Sequence, residues 1–141
     1  MPIDKLQFLI TFCTFFIVGI FLTNLLHEIS HLIVALIGKY EITDFKPWPH
    51  KNPKGQWYAG AIYYIRNDDL KYLPAMLCAP LYKAYIFFTI WSLLGFYYFP
   101  LWGFALAELS DYIEFWCCYL FNVKESDGYR FKQLLKGIVE D

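Results

Sequence analysis

Three observations predict a mainly α-helical, polytopic membrane protein. The chain is 58% hydrophobic and only 18% charged, whereas soluble domains carry about 25% charged residues. It contains three apolar blocks, residues 6–38, 72–99 and 101–121, each long enough to cross a bilayer, which takes about 20 residues. Its polar residues collect into short connections rich in aromatics, as interfacial segments do. At 141 residues it is one domain, 1–141. The net charge of −1 leaves no basic footprint for nucleic acid. Cys13, Cys78, Cys117 and Cys118 form no CxxC pair and read as small packing hydrophobes.

The first block, 6–38, would be about 50 Å long as one helix, so it must tilt or project from the bilayer. No Gly/Pro turn divides it, and one helix is favoured over two. It carries no small-residue cleavage site ahead of its histidines and reads as a retained anchor. Residues 40–65 follow, with β-branched and aromatic flanks at 40–48 and 57–65 around Pro47, Pro49, Pro53 and Gly55. This pattern predicts a short β-hairpin with a long loop. Helices are expected at 72–99 and 101–121, with Pro100 as the break between them. An amphipathic helix over 129–139 follows, its Phe131, Leu134, Leu135 and Ile138 at helical spacing.

Basic residues set the expected orientation. Lys39, Lys46, Lys51, Lys54, Arg66 and Lys71 lie between the first two blocks, and Lys124, Arg130, Lys132 and Lys136 in the tail. The positive-inside rule then places the N-terminus outside, with the hairpin and C-terminus cytoplasmic.

Inside the first block lies His27-Glu28-Ile29-Ser30-His31. Histidines four apart on a helix point to the same side, about 6 Å apart along the axis, so both can reach one ion. The glutamate between them is then placed as a general base, which is the logic of an HExxH zinc site. Asn24 joins this face at i, i+3, i+4, i+7 spacing. The bland alternative is a polar stripe satisfied by helix–helix hydrogen bonds. Ionisable groups at membrane depth are costly and favour a functional reading.

Two histidines leave zinc short of a third protein ligand. Asp127 is the leading candidate, because the first and third helices descend to the same side and the third delivers it there. Asp111 is the alternative third ligand. Glu108, Asp111 and Glu114 form an acidic row in the third block, and Lys83 in the second lies at similar depth. The plainest reading of that pairing is a buried ion pair between two helices. Asn24, His50 and Asn122 are candidates for contacts to substrate or to a developing oxyanion.

At these residues the chain resembles the site-2 protease family of intramembrane zinc metalloproteases. The resemblance rests on His27–His31 with the apolar residues 32–38, on Ala79-Pro80-Leu81, and on Ser126-Asp127-Gly128, which is similar to the family's Leu-Asp-Gly signature. It implies one Zn²⁺ held by His27, His31 and Asp127, with Glu28 activating water to cut transmembrane segments of membrane protein substrates. The sequence departs from the family's pattern where an Asn usually precedes the ligand Asp by about eight residues. Tyr119 stands there, and the nearest Asn is Asn122.

The expected function is therefore a zinc-dependent intramembrane endopeptidase whose active site lies nearer the cytoplasmic face. Its hairpin edge is a candidate for pairing with an extended substrate. The alternatives are a zinc-containing membrane protein that binds transmembrane partners without cutting them, and a small transporter subunit that uses Lys83, Glu108 and Asp111.

Overall fold

In the computed structural model, residues 4–65 and 70–137 are described. Helix α1 runs unbroken from Lys5 to Ile37. Asp4 caps it, accepting from the Leu6 amide. Proline is absent from its interior, and the hydroxyls of Thr11 and Thr14 donate back to carbonyls four residues earlier, so no polar group interrupts it. The chain reverses at Gly38 and at Lys39, which has φ +56°.

Strand β1 (Glu41–Lys46) pairs antiparallel with β4 (Ala61–Ile65), with a bulge between Ile42 and Asp44. The long loop expected between them contains its own small hairpin, β2 (His50–Lys51) against β3 (Trp57–Tyr58). Asn52 closes its tip by accepting from the Gln56 amide and donating to the Gln56 side chain, while Gly55 takes φ +79°. Arg66 lies outside the described residues.

Helix α2 spans Leu73–Gly95, ending four residues short of the expected boundary at 99. Gly95 lies flat against the Trp102 indole, where an added Cβ would come within 2.6 Å of the ring. The helix ends at this contact, and Pro100 sits in a later 3-10 turn, Phe99–Leu101. Helix α3 runs from Trp102 to Phe121 and stops at Asn122, in the left-handed conformation. Helix α4 covers Asp127–Leu135 rather than 129–139. It starts earlier because Ser126 accepts from the Tyr129 amide as N-cap. Its end is marked by Gly137 at φ +74°. Ile138 and Val139 lie outside the described residues.

Helices α1 and α3 run parallel with α2 antiparallel to both, and the hairpin and α4 share one end of the bundle. The three-helix packing buries an unusual share of small and polar residues. Between the helices lie small residues, among them Ala79, Ala84, Ala105 and Ala107, together with buried Thr23, Glu28, His31, Lys83, Glu108 and Asp111. Large apolar side chains such as Leu9, Ile17, Phe21, Ile33 and Leu93 face outward, Phe21 with 72% of its surface exposed. Leu73, Met76, Leu77 and Phe115 are the larger apolar side chains buried with the small and polar residues. Two helices, α1 and α2, are long and apolar enough to cross a membrane. The third expected span, α3, falls short of that composition because Glu108, Asp111 and Glu114 interrupt it.

Candidate metal centre

Three elements meet at the end of the bundle that carries the hairpin. Helix α1 presents His27 and His31 one turn apart, with imidazole centroids 5.0 Å from each other. Helix α4 brings Asp127 in its first turn, against both rings. This docking depends on Gly128, which is buried. A Cβ there would collide with the Phe115 carbonyl and sit 2.8 Å from the Tyr119 amide nitrogen of α3. The run Ser126-Asp127-Gly128 therefore divides its work between a cap, a carboxylate and a point of close approach.

The donor atoms converge. His31 Nε2 lies 3.3 Å from His27 Nε2 and 3.0 Å from Asp127 Oδ2, and His27 Nε2 is 3.3 Å from the same oxygen. Four ligands at zinc distances of 2.0–2.2 Å lie about 3.3 Å from one another in a tetrahedron, which is the spacing found here. The other ring nitrogens are occupied. His31 Nδ1 is 2.8 Å from the Met76 carbonyl, an acceptor only, so it carries that ring's hydrogen. His27 Nδ1 is 3.0 Å from Asp111 Oδ1. With hydrogens on both Nδ1 atoms, the two Nε2 lone pairs and an aspartate oxygen face one point. Three acceptors so arranged repel one another unless a cation joins them, and the donor set fits zinc. Among the described residues this is the one group of three or more His, Cys, Asp or Glu side chains arranged to hold a metal.

Asp127 lies outside the apolar helices. Burial disfavours its charged form, but the neighbouring His31 and His27, when their rings carry a proton, hold its carboxyl far below the usual range, and a bound cation would take the place of those protons. It is a carboxylate, ready to ligate.

Glu28 is 6% exposed and lies beside the histidines on the cavity wall. The turn between β3 and β4 covers it. A Cβ on Gly60 would come 2.6 Å from Glu28 Cγ, so only glycine leaves room for the carboxylate. Asn24 holds that turn in place. Its amide donates to the carbonyls of Ala59, at 3.1 Å, and Pro47, at 3.4 Å. The expected substrate contact is thus a strut between α1 and the hairpin, although Asn24 also reaches the cavity wall.

The remaining expectations resolve differently. Asp111 does not join Asp127 on the Nε2 side but lies behind His27, on Nδ1, and its other oxygen is 2.6 Å from Lys83 Nζ. That lysine also meets Glu108, at 2.8 Å, and the Thr23 carbonyl, at 3.3 Å. The ion pair read from helix depth is present, with a third member. His50 is spent inside the hairpin, between the Trp48 carbonyl and the Tyr63 hydroxyl, and does not line the cavity. Asn122 is a helix cap whose side chain accepts from Lys132 at 2.9 Å.

The site opens into a cavity of about 540 Å³ between the hairpin, the ends of α1 and α3, and the α3–α4 loop. Across its mouth the Tyr58 hydroxyl donates to Glu125 Oε2 at 2.5 Å. This hydrogen bond to a carboxylate, aided by burial, raises the Tyr58 pKa and keeps the donor protonated. Sequence reading missed Gly60 and the Tyr58–Glu125 bridge, and it named Gly128 within Ser126-Asp127-Gly128 without its packing against α3. The glycines left a trace, one interrupting a strand-rich segment and the other following a capping serine, but their partners are remote in sequence. No protein-family model, no curated protein and no solved structure matches this chain.

Proposed function

We propose that this protein is a zinc-dependent intramembrane endopeptidase. The observation that carries the reading is the convergence of His27 Nε2, His31 Nε2 and Asp127 Oδ2, with Glu28 beside them under the hairpin. The outward-facing apolar side chains of α1 and α2 support a bilayer setting. The basic residues of the hairpin and tail favour the cytoplasmic side for this end, with the N-terminus opposite.

His27, His31 and Asp127 would hold the zinc ion, which when bound would supply Lewis acidity for a peptide carbonyl and bring the pKa of water to about 7. The chain's own groups do the rest. His31 and His27 are held by their Nδ1 contacts, so their Nε2 atoms stay aimed at the site without reorganisation. Glu28 takes a proton from water and passes it to the departing amine nitrogen. Gly60 and the Ala59 carbonyl, tied to Asn24, close the site from above and limit water there. The hairpin edge is suited to hold an unwound segment in extended form.

The deciding experiment compares wild type with Glu28→Gln, both reconstituted in vesicles with transmembrane segments as substrates. The variant should keep one zinc per chain and lose cleavage by about 10²–10⁴-fold. Undiminished cleavage would remove the proposed base. Zinc retention in both proteins without any Glu28-dependent product would favour the non-catalytic alternative, in which the ion cross-links α1 to α4.

A further inference from the structure

Resting on the metal-site part of that reading, we infer that Asp111, held by Lys83, is a positioning residue that aims His27 at the metal and adds negative charge that favours a cation there.

The first argument is geometric. Both Asp111 oxygens are committed, Oδ1 to His27 Nδ1 at 3.0 Å and Oδ2 to Lys83 Nζ at 2.6 Å. A carboxylate ion-paired with lysine can only accept, so the hydrogen on His27 is fixed to Nδ1 and the Nε2 lone pair faces the site. Lys83 cannot swing away, because Glu108 and the Thr23 carbonyl take its other donors. The network thus spans all three bundle helices and ends on a metal-facing ring. His31 needs no such device, since the α2 backbone at Met76 orients it directly.

The second argument is a charge count. Lys83 faces two buried carboxylates, Glu108 and Asp111, so this cluster holds one negative charge more than its lysine cancels. Of the two, Asp111 is the one that reaches His27. With Asp127 and Glu28 it surrounds the imidazoles with negative charge, which favours a cation there.

The test measures Zn²⁺ binding to the full-length protein in detergent, by competition with a chromophoric chelator, beside thermal melting and the visible spectrum of the Co²⁺ form. Asp111→Asn should fold, weaken zinc by about 10–100-fold and alter the cobalt bands. A Lys83→Met, Glu108→Gln double variant removes the lock while conserving buried net charge. It should melt earlier and also bind zinc several-fold more weakly, because Asp111 is no longer steered. Wild-type zinc affinity in a folded Asp111→Asn protein would overturn the positioning role while leaving the proposed function standing. Should Asp111→Asn not fold, wild-type affinity in the double variant would overturn it instead. Failure of the wild type to take up zinc would overturn the metal site itself and this role with it.

Discussion

The two ends of the helix bundle are built on opposite principles. At the end holding the first residues of α1, contact is made by shape alone. Gly103 meets the backbone at Phe12 and Phe16, Gly19 meets Ala107, and the aromatic pairs Phe8–Phe99, Phe15–Phe104 and Trp91–Phe104 fill the gaps. Two buried polar atoms there, Trp91 Nε1 and Ser92 Oγ, have no hydrogen-bond partner among the described residues. At the other end the helices are joined by Lys83, Glu108, Asp111, His27, His31 and Asp127, through hydrogen bonds and ion pairs of 2.6–3.3 Å. The dry end fixes where the helices stand. The polar end fixes what they point at, and it depends on geometry that packing alone would not enforce.

The largest effect is expected at Gly128. Gly128→Val would force α4 off α3 and carry Asp127 away from both imidazoles, weakening zinc on the order of 10²-fold or more in a chelator competition. Unchanged affinity would show that Asp127 is not a ligand. Gly60→Ala is more selective. Its methyl presses on Glu28, so cleavage should fall about 10²-fold through misplacement of the base, while zinc content stays at the wild-type level. Parallel loss of zinc would mean that the hairpin shapes the metal site as well. Gly19→Ala probes the dry end, where the new carbon would lie 2.7 Å from Ala107 Cβ. It should cost about 1–3 kcal/mol of stability and leave zinc affinity within a factor of about two. A larger change in affinity would mean that the two ends are coupled.

Much of the polar end was legible in the sequence because it depends on local periodicity. The four-residue spacing places His27 and His31 together on any straight helix, and α1 has nothing in it to break. Asp127 was reached by a topological argument, the matched direction of α1 and α3, which the fold reproduces. The depth count that set Lys83 beside Glu108 and Asp111 also agrees with the contacts found. What stayed hidden depends on rotation and remote contact. Which nitrogen of His27 Asp111 would meet depends on how α3 turns about its own axis, and spacing along α3 does not specify that. Asn24 shares the histidine face, yet its partners are carbonyls of a loop whose path no motif encodes. The end of α2 at Gly95 coincides with a close contact to the Trp102 ring seven residues later, although Pro100 is the more conspicuous break.

Asp127 follows His31 by 96 residues. As the chain leaves the ribosome, the imidazole pair is therefore in place long before its carboxylate partner has been translated. On the proposed reading, the centre is completed only when α4 docks, so a stalled or clipped chain lacking that helix would present two imidazoles without their carboxylate.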